Sequence, residues 1–300
     1  MATVLPSTQL DFELTLGTLR RQVDDRLSLW LPQCPPQDAI GTVMRDGTLA
    51  PGKRIRPLLL LLALKDLRPE YRLEPALDLG CALEMVHAAS LFLDDMPCMD
   101  NAELRRGQPT IHLRFGEDVA VLGSVALLSH AFGIAASVED IDHATRNRLV
   151  CLLTQATGAQ GLVRGQYQDL HEGRGPRPLE AVAQANRLKT CPLFTAAVEF
   201  AALLGGASNH CTRHLNGFAT ELGMAFQLLD DLADGHSPQQ SGKDAGKDEG
   251  KSTVVTLLGP EAARKHVEQH LAHAAQHLTD AGIGDGHLAT LLGYFRDRSH

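Results

Sequence analysis

Aromatic residues are scarce: nine Phe, three Tyr and one Trp make up 4% of 300 residues. The core must therefore be built mostly from Leu, Ala and Val, which suits helices better than a β-sandwich. The chain has no convincing alternating strand pattern and no Asn-Gly hairpin signal, which argues against a sheet-based fold. It has no excess of positive charge. Lys and Arg number 28 against 36 Asp and Glu, for a net charge of −8. That balance disfavours nucleic acid or an anionic membrane as a general partner but leaves room for a local basic pocket. The six cysteines, at 34, 81, 98, 151, 191 and 211, form no C-x-x-C pair. A chain of this length buries a large core without disulfide staples, so they read as reduced thiols of a cytoplasmic protein. Met1 to Leu16 carries Asp11 and Glu13 and no basic stretch, unlike a signal peptide. One long uncharged run, Val119 to Ala136, contains two Gly, two Ser and His130. It reads as a central helix buried on all sides rather than as a membrane span, which usually needs ~20 strongly apolar residues.

What the sequence does contain is helical periodicity nearly throughout. Helices are expected over Leu10 to Leu31, Pro57 to Leu67, Leu73 to Met96, Glu117 to Val138, Asp140 to Leu170, Pro178 to Leu204, Thr212 to Ala233, Pro260 to Asp280 and His287 to Asp297. Pro97 to Pro109 and Gly235 to Gly250 are irregular, and loops of that length in a compact domain are usually functional. No linker or internal repeat is visible, so residues 1–300 are expected to form one all-α domain.

Two acidic clusters carry the chemistry. The first is Asp94-Asp95-Met96-Pro97-Cys98-Met99-Asp100; the second is Asp230-Asp231-Leu232-Ala233-Asp234. On a helix Asp230 and Asp234 share a face, with Gln227 one turn earlier. Apolar residues precede both clusters, so the acids sit at polar ends of buried helices and need cations. Oxygen ligands without His or Cys select Mg2+ or Mn2+, held partly through water and a phosphate. The alternative is a pair of solvated helix ends. Basic groups are interleaved with the acids: Gly52-Lys53-Arg54-Ile55-Arg56-Pro57, Arg105-Arg106-Gly107, Lys189-Thr190, Gly242-Lys243 and Lys251-Ser252-Thr253. Each alone would pass for surface. Together with the acids they describe a site for two anionic groups, one bound through metals and one through basic side chains.

These motifs resemble the trans-isoprenyl diphosphate synthase (polyprenyl synthetase) family. The likeness rests on Gly52 to Pro57, Asp-Asp-x4-Asp at 94 to 100, Leu104-Arg105-Arg106-Gly107, Gly165-Gln166-x-x-Asp169 and Lys189-Thr190. It continues with Gly223-Met224-Ala225-Phe226-Gln227-x-x-Asp230-Asp231-x-x-Asp234, Lys243 and Gly250 to Thr253. The order is the family's and the span is about 40 to 260. Met44 to Pro51 and Glu84 to Ser90 are most similar to bacterial geranylgeranyl diphosphate synthases of the carotenoid type. The resemblance implies an isoprenoid synthase-type helical bundle around a central substrate cavity, usually a homodimer. It implies that Asp94, Asp95, Asp100, Asp230, Asp231 and Asp234 bind Mg2+, about three ions, which clamp an allylic diphosphate so that it ionises. Isopentenyl diphosphate would be held by residues matching Lys53, Arg56, His87 and Arg106, with Gly52 and Gln166 also among the implied substrate-binding residues. Arg105, Lys189 and Lys243 match residues that contact the allylic diphosphate, although the shortness of the 243 to 251 segment leaves Lys243 and Lys247 as alternatives. Thr190 and Gln227 match groups whose oxygens face the allylic cation, and Lys251 matches a lysine of the loop that excludes water.

Chain length should depend on what lies five residues before Asp94, about 7.5 Å along the axis. That residue is Ala89, followed by Ser90. Bacterial farnesyl synthases commonly hold an aromatic ring there. An open floor predicts a product longer than C15, namely C20; otherwise the floor lies at Met85 or within Gln155 to Gln166. A C15 or longer-chain synthase remains the alternative. His266, His270, His273 and His277 fall on one helix face, either a metal stripe or the border of a surface helix whose buried line is Val267, Leu271, Ala274 and Leu278. Glu84-x-x-His87 has di-iron spacing but occurs once, and a di-iron site needs two such motifs. A class I terpene synthase would show a different second metal motif, and a non-catalytic regulatory subunit would usually lose an aspartate cluster.

Overall fold

The computed structural model describes residues 7–35, 37–172, 178–234 and 253–297. Among them are thirteen helices: α1 (Ser7–Trp30), α2 (Ala39–Leu49), α3 (Ile55–Leu67), α4 (Glu74–Asp94), α5 (Ile111–Phe115), α6 (Glu117–Ser137), α7 (His143–Thr157), α8 (Leu162–Glu172), α9 (Leu179–Gly205), α10 (Asn209–Asp234), α11 (Val254–Leu258), α12 (Pro260–Asp280) and α13 (His287–Asp297). The fold is an all-α bundle, as the composition predicts. A two-residue hairpin, β1 (Leu104–Arg105) and β2 (Gln108–Pro109), interrupts the irregular segment after α4.

The central helices carry no clear polar face because the bundle surrounds them. Leu58 through Leu64 of α3 are all at most 1% exposed, and α4 begins with Pro75 in its first turn, where no hydrogen bond is lost. α3 packs on α4 and α9, and α10 packs on α9 and α12. Buried side chains from α1 through α13 form one continuous apolar core. Val267, Leu271, Ala274 and Leu278 are fully buried, as the offset between the His and apolar lines of α12 requires.

Two readings are corrected. The helix expected over Asp140 to Leu170 is two helices. Gly158 leaves the helical region (φ −72°, ψ −165°) as the C-cap of α7, and α8 starts at Leu162; the period alone does not register so short a break. The uncharged run in α6 is not buried on all sides. Val121, Leu122 and Val125 are 41–56% exposed, while Ala120, Gly123, Ser124 and Leu127 face the bundle. Absence of charge does not say which face of a helix the bundle covers. α4, α6 and α9 are each long and apolar enough to cross a membrane by length and composition. The apolar windows of α4 and α9 are 72% and 61% buried within the bundle, against 39% for α6. Helices α2, α5 and α11 are additional to the sequence reading.

Candidate active site

The first acid cluster is shaped by the end of α4. Asp94 is its last residue and Asp95 its C-cap. The chain then curls back: Asp100 N–H donates to the Asp94 carbonyl at 3.0 Å and Ala102 N–H to the Asp95 carbonyl at 3.2 Å. This brings the third acid of the motif beside the first two. Side chains from three other elements converge on the pair. Gln166 (α8) donates to Asp94 Oδ1 at 2.5 Å. Lys189 (α9) lies 3.4 Å from the same oxygen and 3.0 Å from Asp169 Oδ2. Arg105 (β1) holds Asp95 through Nε at 3.0 Å and through a second guanidinium nitrogen.

The spacing Gly165-Gln166-x-x-Asp169 has a steric cause. A Cβ on Gly165 would lie 2.4 Å from the backbone nitrogen of Lys189, so only glycine lets α8 approach α9 this closely. That approach sets Gln166 and Asp169 beside Lys189. The hairpin separates its two arginines in a similar way. Arg106 (φ 55°) and Gly107 (φ 76°) both take left-handed backbone at the turn, the requirement of a tight two-residue hairpin. Arg105 then reaches Asp95, whereas Arg106 donates to the Ala50 carbonyl at 3.3 Å, beside Gly52.

The second cluster sits near the end of α10. Gln227 donates to Asp231 Oδ1 at 2.8 Å and accepts from the Thr190 hydroxyl at 2.7 Å. Its hydrogen-bond partner in the second cluster is therefore Asp231, four residues on. Asp230 Oδ1 is met by Lys53 Nζ at 3.4 Å, and Lys53 also lies over the Phe226 ring at 5.1 Å. Lys189 and Thr190 are adjacent on α9 and reach one acid cluster each, so α9 joins the two. The side chain of Asp234, and Lys243, Lys247 and Lys251, lie outside the described residues.

A cationic region flanks the acids, and its anchor is Arg54, which the sequence reading did not single out. Arg54 is 3% exposed and donates to Asp24 at 2.7 Å, Glu84 at 2.8 Å and the Ala50 carbonyl at 3.0 Å. It sits at φ 51°, the left-handed N-cap of α3, a conformation that a side chain adopts only when its surroundings hold it. The turn places Lys53 and Arg56 on either side. Burial lowers the pKa of Arg56 and Arg106, and in both cases the Glu84 carboxylate is the strongest opposing influence. Burial, and then Arg56, Arg106, Arg105 and Arg54, push His87 well below the usual imidazole value, so the ring is neutral. Burial opposes the charge of Lys189, but Asp94 and Asp169 outweigh it and raise its pKa. Burial raises Asp95 despite Arg105. Glu84, Asp24 and Asp169 complete the set that the sequence reading missed as site residues. Glu84 was visible as the start of the Glu84 to Ser90 segment and for its spacing to His87, but the residue it pairs with is 30 positions away.

The acids fit a hard divalent cation by donor chemistry: they are carboxylates, with no soft ligand among them. Mg2+ commonly takes one or two carboxylates and completes its shell with water and substrate phosphate. That suits carboxylates already aligned by Lys189, Gln166 and Gln227 rather than closed into a cage.

Ala89 is fully buried on α4, and the Ser90 hydroxyl donates to the His87 carbonyl at 2.8 Å. A cavity of about 370 Å³ lies between α2, the end of α4, the hairpin and α5, lined by Ala88, Phe92, Asp95, Arg105 and Arg106 among others.

Residues 37–282 match the family model described as polyprenyl synthetase. The chain is 51% identical over 263 residues, 88% of this chain and 86% of the other, to a geranylgeranyl diphosphate synthase of Pantoea ananas. It is 36% identical over 300 residues, 97% of this chain and 99% of the other, to a farnesyl diphosphate synthase of Geobacillus stearothermophilus. It superposes with TM-score 0.83 and 26% identity, over 98% of each chain, on a geranyltransferase of Helicobacter pylori complexed with magnesium and isoprenyl diphosphate.

Proposed function

Since this chain belongs to the polyprenyl synthetase family, we propose that it is a Mg2+-dependent trans-prenyltransferase that condenses isopentenyl diphosphate with allylic diphosphates and makes chiefly the C20 product, geranylgeranyl diphosphate. The observation that carries this reading is the link through α9. Lys189 pairs with Asp94 and Thr190 reaches Asp231 through Gln227, so both acid clusters serve one centre beside the Lys53, Arg56 and Arg106 cations.

In this reading Asp94, Asp95, Asp100, Asp230, Asp231 and Asp234 hold Mg2+, which supplies electrostatic stabilisation of the charge developing on the departing diphosphate. Arg105 and Lys189 bind the allylic diphosphate and keep it in line with the acids. The carbonyl oxygen of Gln227 and the hydroxyl oxygen of Thr190 offer partial negative charge to the allylic cation, fixed in place by their mutual hydrogen bond and by Asp231. Lys53, Arg56 and Arg106 bind isopentenyl diphosphate. His87, held neutral, donates one N–H without adding a fourth charge to that group. The double bond of isopentenyl diphosphate attacks the cation, and the proton then lost passes to the released diphosphate. Lys243 and Lys251 would close over the site.

The C20 assignment rests on Ala89, which brings no ring to the core face of α4, and on the identity to the Pantoea ananas synthase, higher than that to the Geobacillus stearothermophilus farnesyl synthase. The uncovered apolar face of α6 is assigned to a homodimer, and the reading places the enzyme in the cytoplasm, as one domain. The test is incubation of purified protein with Mg2+, isopentenyl diphosphate and each of dimethylallyl, geranyl and farnesyl diphosphate, with product chain length measured. A C20 diphosphate is expected. A C15 end product overturns the length assignment, and a hydrocarbon or no product overturns the reaction.

A further inference from the structure

The His-rich face of α12 does more than border a surface helix. His277 and Asp280 stand three residues apart on α12, and His214 and Gly217 three apart on α10, so each pair shares a face. A Cβ on Gly217 would lie 2.4 Å from the His277 ring; the glycine is the space that seats the imidazole. Seated there, His277 Nδ1 lies 3.3 Å from His214 Nδ1, and Asp280 Oδ2 lies 3.8 Å from His214 Nδ1. One ligand atom from each of the three residues lies within 4.8 Å of the others.

We propose that His214, His277 and Asp280 form a second metal site, for a transition-metal dication of the Zn2+ class, that clasps the start of α10 to the end of α12. The spacing is the first argument. Two nitrogens bound at 2.0–2.1 Å to a tetrahedral ion lie about 3.3 Å apart, the separation of the two Nδ1 atoms. The second argument is the orientation of the carboxylate. Gln276 donates to Asp280 Oδ1 at 2.8 Å, which leaves Oδ2 on the side of the imidazoles, as outer groups do at metal sites. His210 adds a contact between its Nε2 and the Asp280 carbonyl at 3.1 Å and lies edge-on to His214. The third argument is access. The His214 side chain is 20% exposed and that of Asp280 40%, enough for an ion to enter and for water to take the fourth position. Imidazole nitrogen with one carboxylate selects Zn2+, Ni2+ or Cu2+ over Mg2+. Residue 214 is sixteen positions from Asp230, about 24 Å along α10, so this site is separate from the catalytic acids in both place and chemistry.

The site ties two helices together without touching the reaction centre, so it should raise stability and leave prenyl transfer unchanged. The test uses untagged full-length protein, stripped with chelator and supplied with excess Mg2+ to occupy the oxygen sites. Zn2+ is then titrated calorimetrically, and Co2+ is followed by its visible absorption. One equivalent of Zn2+, intense Co2+ bands of low coordination number and a rise in Tm of about 5 °C at a hundredfold excess over Kd are expected. His214→Gln, His277→Gln and Gly217→Ala should each abolish this binding, while prenyl transfer by His214→Gln stays at the unmodified level. Absence of saturable Zn2+ binding, or binding that persists in both histidine variants, overturns the proposal. So does an NMR-detected proton shared between the two imidazoles that Zn2+ does not displace.

Discussion

The perturbation that tests the site most sharply is Glu84→Gln. Glu84 is 2% exposed and its Oε1 accepts from Arg54 at 2.8 Å. The same carboxylate is the strongest favourable charge on Arg56 and Arg106. Glutamine keeps the shape and one acceptor oxygen, so the helix and the contact survive but the charge does not. Removing one partner of a buried pair outright costs about 3–5 kcal/mol, and a hydrogen bond to a charged group is worth about 1.5–3 kcal/mol. Arg54 keeps Asp24 and the Ala50 carbonyl, so the isostere should cost about 2–4 kcal/mol. At about 2 °C per kcal/mol for a chain of this size, Tm should fall by ~4–8 °C. The second half of the prediction concerns binding. Three guanidinium groups lose their shared counter-charge, and a diphosphate arriving among them replaces it. Inorganic pyrophosphate should therefore raise the Tm of Glu84→Gln by more than it raises that of the unmodified protein, in paired thermal melts at equal ligand. A Tm within 1 °C of the unmodified protein would refute the buried-pair argument. An increment no larger than the unmodified protein's would refute the assignment of this pocket to a diphosphate.

Ala89→Phe should shift the product from C20 toward C15 in the chain-length assay; an unchanged product moves the cavity floor away from α4. His87 has a folded pKa below its unfolded value near 6.5, so the unfolded chain binds more protons between the two. Its contribution to stability is present above pH 6.5 and is lost as pH falls below it. His87→Asn should then lose less stability than the unmodified protein between pH 7.5 and 5.5, read as the difference in urea midpoints; equal losses would contradict a neutral His87. Val125→Glu places a charge on the exposed apolar stripe of α6. It should convert a dimer to a monomer in sedimentation velocity, and a dimer that persists would place the interface elsewhere.

Much of the bundle was legible in the chain because helices announce themselves through local spacing. The bounds of α12 and α13 coincide with the expected ones, and the ends of α4 and α9 differ by one or two residues. The acid clusters were legible for a related reason. Like charges crowded within seven residues repel, so their presence points to a bound cation whatever the fold. Gly165 and the Arg106-Gly107 turn were visible as motif members, but their purpose was not: each answers to a backbone or a neighbour distant in sequence.

Tertiary structure alone decided the pairings. Arg54 reads as one of three clustered basic side chains until Glu84 and Asp24, each 30 residues away, close on it. Lys189 becomes a bridge only when α8 lies close enough for Asp169 to meet it. His277 meets a second imidazole only because Gly217 admits its ring beside His214. Periodicity and composition are sums over neighbours along the chain, and they determined that this protein is helical, aliphatic inside and acidic at two helix ends. Charge compensation and steric fit act through space over a few ångströms, so which helix supplies the partner, and whether α6 turns its apolar face inward or outward, were decided only when the helices packed.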